Sequence, residues 1–544
     1  MCLLVRPSSL PSFVEPQPDI RDSFWHLVPP TFSHHLVFVV VVLLFALAMH
    51  SDAASLPSFA SRRASHPIRL VIAGAGIAGL ATGLGLGLTG HDVTILEQAS
   101  NLDEAGAGIQ IAPNATRVLA RLGVLDQVLQ DADPLERISI RRYADDEELG
   151  SASIMPGAAR RYGAPALVIH RGDLHRILLT AARRAGCRIL TGRRVVGIEP
   201  GPPPRIQTSD GDWHQGDVVL GADGVRSVLR AYVTTSNGES DSSLGLKPTG
   251  DAAYRMLIPR ERLAGHETLG ALVDGRDTMR WLGPRGHVMA YPVRHQALYN
   301  VVILHPIDSP AVASSAVNGQ VRRPKSDAVD FCRDWCRPVR DLVACMPDGD
   351  VVTEWLLYTH PPLPRWTRGR VALVGDACHP MLPYTAQGAA CAIEDAGALV
   401  AAFACGLSPD AALALYQRVR KPGSESVQAA SARQRACLHL PDGATQARRD
   451  DAIRRALAAP PDDGVAPLLP NPDLWVDRRW QDRVWGSDVV YDVFQACIRE
   501  TVWPLSTSLR CVLPLSSSSS GGGGIAPEPD GVAEYRQRGR ASQP

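Results

Sequence analysis

Hydrophobic positions divide this chain into short apolar runs separated by glycine-rich breaks. Ile68 to Ile72 is continuously apolar apart from Arg69, the pattern of a strand buried on both faces in a parallel sheet. It leads into Gly74-Ala75-Gly76-Ile77-Ala78-Gly79 and a helix carrying Gly83, Gly85 and Gly87. Each of those three costs about 1 kcal/mol relative to alanine in a helix interior, and the sequence alone offers no account of all three. Asp92 to Leu96 reads as a second strand, and Asp217 to Leu220 and Arg370 to Val374 as further short buried ones. Between the last two lies a strand-rich stretch: Asp251 to Ile258, Met279 to Leu282, His287 to Pro292 and Leu298 to Leu304. The pattern predicts an α/β chain whose parallel sheet is interrupted by a second sheet.

The two ends differ from this middle. Leu36 to Met49 is an unbroken apolar run of fourteen residues, short of the roughly 20 that span a bilayer. Three readings stay open: a membrane anchor, a cleaved signal before Ala53-Ala54-Ser55, or a true start at Met49 that removes the run. Arg62, Arg63 and Arg69 follow it while Arg21 is the nearest Lys or Arg before it, which favours the rest of the chain on the cytoplasmic side. Ser516 to Ser520 and Gly521 to Gly524 form a low-complexity tail.

With 544 residues and 45% hydrophobic content, the chain can bury more than one domain core. Lys+Arg and Asp+Glu both number 56, and the zero net charge argues against a nucleic-acid partner. The eleven cysteines form no CxxC pair. Cys332 and Cys336 are four apart, a spacing that on a helix would place them on one face, but they lack further ligands at metal-site spacing, so they read as reduced thiols and no metal site is predicted. No GxSxG elbow is present.

The glycine motif carries the first chemistry. Gly74 permits a tight turn, Gly76 lets backbone approach a pyrophosphate, and Gly79 lets helix and strand pack closely. Glu97, ending the second strand, stands where a carboxylate meets a ribose 2′-OH, which suits the adenosine half of FAD or NAD rather than NADP. Two further motifs follow strands: Gly221-Ala222-Asp223-Gly224-Val225-Arg226-Ser227, and Gly375-Asp376-Ala377-Cys378-His379-Pro380. The second leads through Pro383 to Gln387-Gly388-Ala389-Ala390 and a helix with Glu394-Asp395-Ala396. A carboxylate at a strand's carboxyl end suits a chain of hydroxyls, and a glycine-rich helix start near Gly388 suits an anion.

In this order and spacing the motifs resemble the single-component aromatic hydroxylase class of flavoprotein monooxygenases, especially its fungal salicylate hydroxylase-like branch. Besides GAGIAGL, the likeness runs through EAGAGIQIAPNATRVLARLG (Glu104 to Gly123), IHRGDLHRILL (Ile169 to Leu179), GADGVRS, GDACHPMLPYTAQGAACAIEDA, HLPDG (His439 to Gly443) and NPDLWVDRRWQDRVWG (Asn471 to Gly486). It covers roughly Ile68 to Glu500. The resemblance implies a Rossmann-type FAD-binding domain like that of p-hydroxybenzoate hydroxylase, an inserted mixed or antiparallel sheet for substrate, and C-terminal helices. It implies FAD contacts at Gly74, Gly76, Ala78, Gly79, Glu97, Ala107, Gly108, Arg171, Asp223, Gly224, Asp376, Gly388 and Ala389. Three features depart from the family: Cys378 stands where Ala is common, Ser487 where an aromatic is usual, and the triple-glycine helix is unusual.

The expected organisation is a leader over 1–64, FAD domain over 65–250 and 351–435, substrate sheet over 251–350, helices over 436–505 and tail over 506–544. Tyr254 and Arg255 are adjacent on one strand and so point to opposite faces. The family's AYR segment maps its active-site arginine to Arg255, and Tyr254 joins it as a catalytic candidate. Tyr291 and His287 are weaker candidates, and His170, His175 and His379 read as structural hydrogen-bonders. The implied reaction is NAD(P)H- and O2-dependent hydroxylation of an aromatic or phenolic small molecule through a flavin C4a-hydroperoxide. The alternatives are an epoxidase of secondary metabolism, a flavoprotein dehydrogenase or reductase that does not oxygenate, or a catalytically idle FAD-binding, membrane-tethered protein.

Overall fold

The computed structural model describes residues 58–102, 106–235, 244–307, 319–346, 349–458 and 469–510, with 501–510 described as backbone. The apolar run Leu36 to Met49 and the Ser/Gly tail lie outside these residues. The chain divides into a unit ending at Arg499 and one beginning at Glu500. The described part of the second unit is helical backbone to Arg510. Among the described residues, no helix is long and apolar enough to cross a membrane.

The first sheet has six strands, with Arg69–Ala73 at its centre. Leu70 pairs in parallel with Val218 on one side and Val93 on the other, and Val219 continues the sheet to Val371. These strands are buried on both faces, which is why they read as continuous apolar runs rather than alternating ones. Helix α1 (Ile77–Leu88) follows the first strand, α2 (Arg171–Arg184) lies beside it, and α3 (Gly388–Ala404) packs on its other flank.

That crowding accounts for the three helical glycines. A Cβ at Gly83 would stand 2.7 Å from Ile95 Cδ1, and one at Gly85 2.4 Å from Val400 Cγ2 of α3. A Cβ at Gly87 would stand 2.9 Å from the Ala185 carbonyl oxygen, just past α2. Each glycine meets a different neighbour: the sheet, α3, and the end of α2. A bare backbone is what lets α1 approach all three, offsetting the helix-propensity cost.

The second sheet has eight strands. Their order is Gln320–Pro324, Val351–Thr359, Lys247–Pro259, Leu298–Pro306, Gly286–Val293, Asp277–Gly283, Arg137–Arg142 and Glu148–Ser153. The expected span of 251–350 is therefore too narrow. Arg137–Arg142 pairs in parallel with Asp277–Gly283 from more than a hundred residues upstream, and Val351–Thr359 pairs with Lys247–Pro259. Side chains alternate across this sheet with period two. Arg255 stands opposite Val302, Val302 opposite Met289, and His287 opposite Leu304, all on one face. Tyr254, Val288 and Ile303 occupy the other face and form a separate core with Trp281, Trp335 and Val339.

The leader boundary at residue 64 also needs correction. Phe59 is only 3% exposed and belongs to the core of the first sheet. Ala64 N–H donates to Thr89 O at 2.8 Å, and the Arg62 guanidinium lies 4.9 Å from the Phe494 ring centre. Residues 58–64 therefore pack with the folded unit.

Helix α4 (Pro409–Leu438) ties the layers together. Its Arg420 Nε donates to Asp395 Oδ1 of α3 at 2.8 Å, and Arg435 pairs with Asp251 of the second sheet. Tyr384 Oη donates to the same Asp251 at 2.5 Å. Beyond α4, Asp473 pairs with Arg280 at 2.6 Å, both almost fully buried.

Candidate active site

The three glycine-bearing motifs converge on the carboxyl ends of the central strands. Gly74 adopts a φ of +103°, and a Cβ there would stand 2.3 Å from the Ala222 carbonyl oxygen. The first motif therefore packs directly against the second. A Cβ at Gly79 would collide with the Gly74 carbonyl oxygen at 2.0 Å. Gly76 and Gly224 instead face open space, and Gly224 has a φ of +74°.

Two cavities meet there, sharing Gly76, Ala222 and Gly224. The outer one, about 270 Å³, is lined by Gly74, Glu97, Arg193, Arg194, Asp223 and Arg226 among others. Glu97 is held in place by backbone: Ala75 N–H donates to Oε2 and Ala99 N–H to Oε1, each at 2.8 Å. Asp223 Oδ2 accepts from Val228 N–H at 2.7 Å and Leu229 N–H at 3.2 Å, and its buried Oδ1 has no partner. Burial pushes the Asp223 carboxyl upward, and the Ser227 hydroxyl and the backbone donors oppose it.

The inner cavity, about 380 Å³, runs between the two sheets. The first-sheet side contributes Ala78, Arg171, Asp376, Gly388 and Ala389; Gly108 and Gln110 join from a small three-stranded sheet. The second sheet contributes Arg255, His287, Met289, Tyr291, Val302 and Leu304, all from one face. A wider depression of about 590 Å³, bordered by Arg176, Arg183 and Arg294, touches none of the three motifs.

Electrostatically the inner cavity is short of negative charge. Arg255 Nε is buried and unpartnered, and the guanidinium makes no ion pair among the described residues, resting 5.8 Å from the Trp355 ring centre. Burial pulls its pKa down, and Tyr291 opposes this. Burial likewise pushes the Tyr291 phenol up, opposed by Arg255. Arg171 is pulled down by burial and by Arg255, with Asp376 opposing. The enclosing protein pushes the Asp376 carboxyl up, His379 and Arg171 pull it down, and Asp395 pushes it up again.

The predicted residues divide cleanly. Ala78, Gly108, Arg171, Asp376, Gly388 and Ala389 line the inner cavity, Glu97 and Asp223 the outer, and Gly76 and Gly224 both. Ala107 sits beside them, its carbonyl accepting from Arg171 N–H at 3.0 Å. Arg255 faces the cavity and Tyr254 does not. Tyr254 is buried on the opposite face, stacked on His305 with ring centres 4.3 Å apart. His287 and Tyr291 line the cavity; their spacing of four along one strand puts the two on one face, and the register through Met289 and Val302 makes it Arg255's face. His170 Nε2 meets Gly106 O at 3.0 Å and His175 Nε2 meets Ala75 O at 2.7 Å.

Cys378, His379 and Asp395 bring potential ligand atoms within 4.8 Å of one another. The Asp395 oxygens are already committed: Oδ2 to Gly375 N–H at 2.9 Å and His379 Nε2 at 2.6 Å, Oδ1 to Arg420. This trio braces the turn that presents Asp376. The Ser487 hydroxyl has two acceptors in reach of its one proton, Val484 O at 2.9 Å and Glu394 Oε1 at 3.2 Å, so a polar contact fills the place of the expected aromatic.

The joined cavities, open beside Gly76 and Gly224 and cationic at Arg171, have the extended form and donor set that an FAD molecule requires. The FAD binding domain family matches residues 68–256 and 359–431, the interval between being most of the second sheet. The FAD-dependent monooxygenase OpS4 of Beauveria bassiana is 35% identical over 398 residues, spanning 71% of this chain and 89% of that protein. The chain belongs to the FAD-dependent monooxygenases. Another relative, 3-hydroxybenzoate 6-hydroxylase 1 of Aquipseudomonas alcaligenes, is 32% identical across 71% of this chain and 93% of its own length. A salicylate hydroxylase substrate complex shares the fold, with a TM-score of 0.63 at 23% identity over 78% of this chain and 97% of that one. As a family member the enzyme uses FAD with NAD(P)H as cosubstrate, and acts on a small molecule with O2.

Proposed function

We propose that this monooxygenase hydroxylates a small aromatic substrate carrying a carboxylate or a phenolate, and that the inner cavity is where it does so. The observation that carries this reading is Arg255: a guanidinium that makes no ion pair among the described residues, on the same pocket wall as Met289, Val302, Leu304 and Tyr291. A half-buried guanidinium whose Nε is buried without a partner is costly to leave so, and a planar anion in the cavity would complete it with paired hydrogen bonds. The names of relatives acting on 3-hydroxybenzoate and 6-hydroxynicotinate support an aromatic substrate.

In this reading Gly74, Gly76, Ala78, Gly79, Glu97, Ala107, Gly108, Arg171, Asp223, Gly224, Asp376, Gly388 and Ala389 hold FAD. Bound FAD, once reduced by NAD(P)H, supplies the activated oxygen. Gly76 and the start of α1 give backbone N–H groups to the pyrophosphate, and Glu97 takes the ribose. Asp376 takes the sugar-alcohol chain, and the start of α3 at Gly388 and Ala389 faces the ring system. Arg255 orients the substrate ring, and the apolar wall keeps water from the reacting carbon. Tyr254 has no part. Activity on the cytoplasmic side fits the described cysteines, all of which are free thiols.

The experiment is to purify the yellow protein and screen phenolic and aromatic acids for stimulated NAD(P)H consumption, then analyse products under labelled oxygen. Product carrying one labelled oxygen on the ring is expected. Consumption without oxygen incorporation would sink the hydroxylase reading.

A further inference from the structure

Hydroxylation of a phenol is favoured when the ring is a phenolate, so the phenolic proton needs a route out of the cavity once cofactor and substrate fill it. We infer that His287 and His439 form a two-ring proton relay from the inner cavity to solvent, an inference resting on the aromatic-substrate reading above. His287 is 2% exposed and lines the cavity. Its Nδ1 lies 2.9 Å from His439 Nε2, so one ring donates to the other. His439 caps the C-terminal end of α4 and is half-buried. The pair therefore crosses the cavity wall, with one ring inside and one reaching towards water.

The groups packed around the pair are engaged elsewhere. The Tyr384 ring centre lies 5.6 Å from that of His287 and 5.2 Å from that of His439, but its hydroxyl donates to Asp251. Arg435 also binds Asp251. Arg280, near His287, is paired with Asp473, and Arg449, near His439, with Asp450. Among the described residues no carboxylate bonds either imidazole, so neither ring is held as a cation. Burial, His439 and Arg280 drive His287 well below the usual histidine range. Burial brings His439 down to about 4, against the pull of Asp251. Two neutral rings each carry one N–H and one bare nitrogen, the arrangement that passes a proton without storing charge.

The transfer balances as follows. The phenolic O–H bond breaks and its proton joins His287 Nε2. The proton on His287 Nδ1 passes to His439 Nε2, and the proton on His439 Nδ1 leaves to water. A phenolate remains in the cavity, one proton has entered solvent, and both rings stay neutral with exchanged tautomers. The reverse sequence resets them. His439 acts through His287 and is a positioning residue rather than a catalytic one.

The test uses the FAD-loaded full chain and para-nitrophenol, whose ionised form is coloured. After a rapid upward pH jump, phenolate formation in the bound probe is followed by absorbance. In His439→Gln the expected outcome is at least a tenfold slower appearance of bound phenolate, with FAD retention and probe affinity unchanged and the rate restored by added imidazole. His287→Gln should be equally slow and rescued less, because its site lies deeper. Equal rates in wild type and His439→Gln overturn the relay. So does slowing that imidazole does not relieve and that comes with loss of FAD, which would mark a packing role. Failure of para-nitrophenol to perturb the flavin spectrum overturns it as well. A protein that relays protons to the probe yet never oxygenates a phenol keeps the relay and refutes the hydroxylase reading, so the two failures are separable.

Discussion

Arg171 and Arg255 open on one cavity from opposite sides, and Asp376 is the one acid among the cavity's lining residues. A surface arginine would cost little to change. An arginine in this position should change catalysis without changing the fold.

Arg255→Lys should leave the protein folded and yellow while substrate-stimulated turnover falls by about tenfold or more, because the charge stays but the planar fork is lost. Arg255→Ala should be worse. Steady-state NAD(P)H oxidation together with flavin absorbance separates the outcomes. Wild-type turnover in both variants would refute a substrate role, and loss of flavin would move Arg255 to the cofactor site.

Asp376→Ala should weaken FAD binding by roughly ten- to a hundredfold, the value of a hydrogen bond to a charged group. Flavin retention on gel filtration measures it. Glu97→Ala should act in the same direction for two reasons, since Glu97 also fixes the Ala75 and Ala99 N–H groups. Undiminished retention in Asp376→Ala would mean that its carboxylate does not meet the cofactor.

Asp395→Asn should destabilise the fold by about 3–5 kcal/mol, the cost of breaking a buried ion pair from one side. Asp395 is held below the ordinary carboxylate range: burial pushes it up, but His379 and Arg420 together pull it further down. A depressed folded value means the stabilisation is complete above the unfolded value of about 4 and is lost as pH falls through the folded one. Thermal melts at matched flavin content should show the full gap between wild type and variant near neutrality and a shrinking gap in acid. A gap independent of pH would contradict the assignment.

Gly85→Ala should destabilise by about 1–3 kcal/mol through overpacking, although alanine is the better helix former. The added methyl would meet Val400. The double variant Gly85→Ala, Val400→Ala should recover part of the loss in chemical denaturation. If Gly85→Ala alone stabilises, the close approach of α1 and α3 is not tight.

A chain beginning at residue 56 should fold and bind FAD more stably than one beginning at Ser65, since the latter loses buried Phe59. Comparing their melting temperatures decides it. Equal values would mean that residues 58–64 contribute nothing.

The glycines and carboxylates that line the two cavities were legible in the sequence, because such residues at strand ends are local features. The predicted strands Asp92 to Leu96 and His287 to Pro292 needed little or no adjustment, becoming Asp92–Leu96 and Gly286–Val293. What depends on distant pairing was not legible. Arg137–Arg142 joins the second sheet from far upstream, and nothing near it announces a partner. Alternation tells that Tyr254 and Arg255 diverge, but only the register with Val302 and Met289 tells which one enters the cavity. The three glycines of α1 were visible and unexplained, since their neighbours Ile95, Val400 and Ala185 come from three separate parts of the chain.

The partner of Gly85 has a consequence in time. Helix α1 ends at Leu88 and α3 begins at Gly388, 300 positions later. At about 5–20 residues per second on the ribosome, α1 waits roughly 15 to 60 seconds for the helix that covers it. During that interval a glycine-rich, apolar, weakly helical segment is out in the cell without its cover. The yield of this protein in a heterologous host should therefore depend on chaperones that shield the nascent chain, and on the pace of translation, more than the stability of the finished fold would suggest.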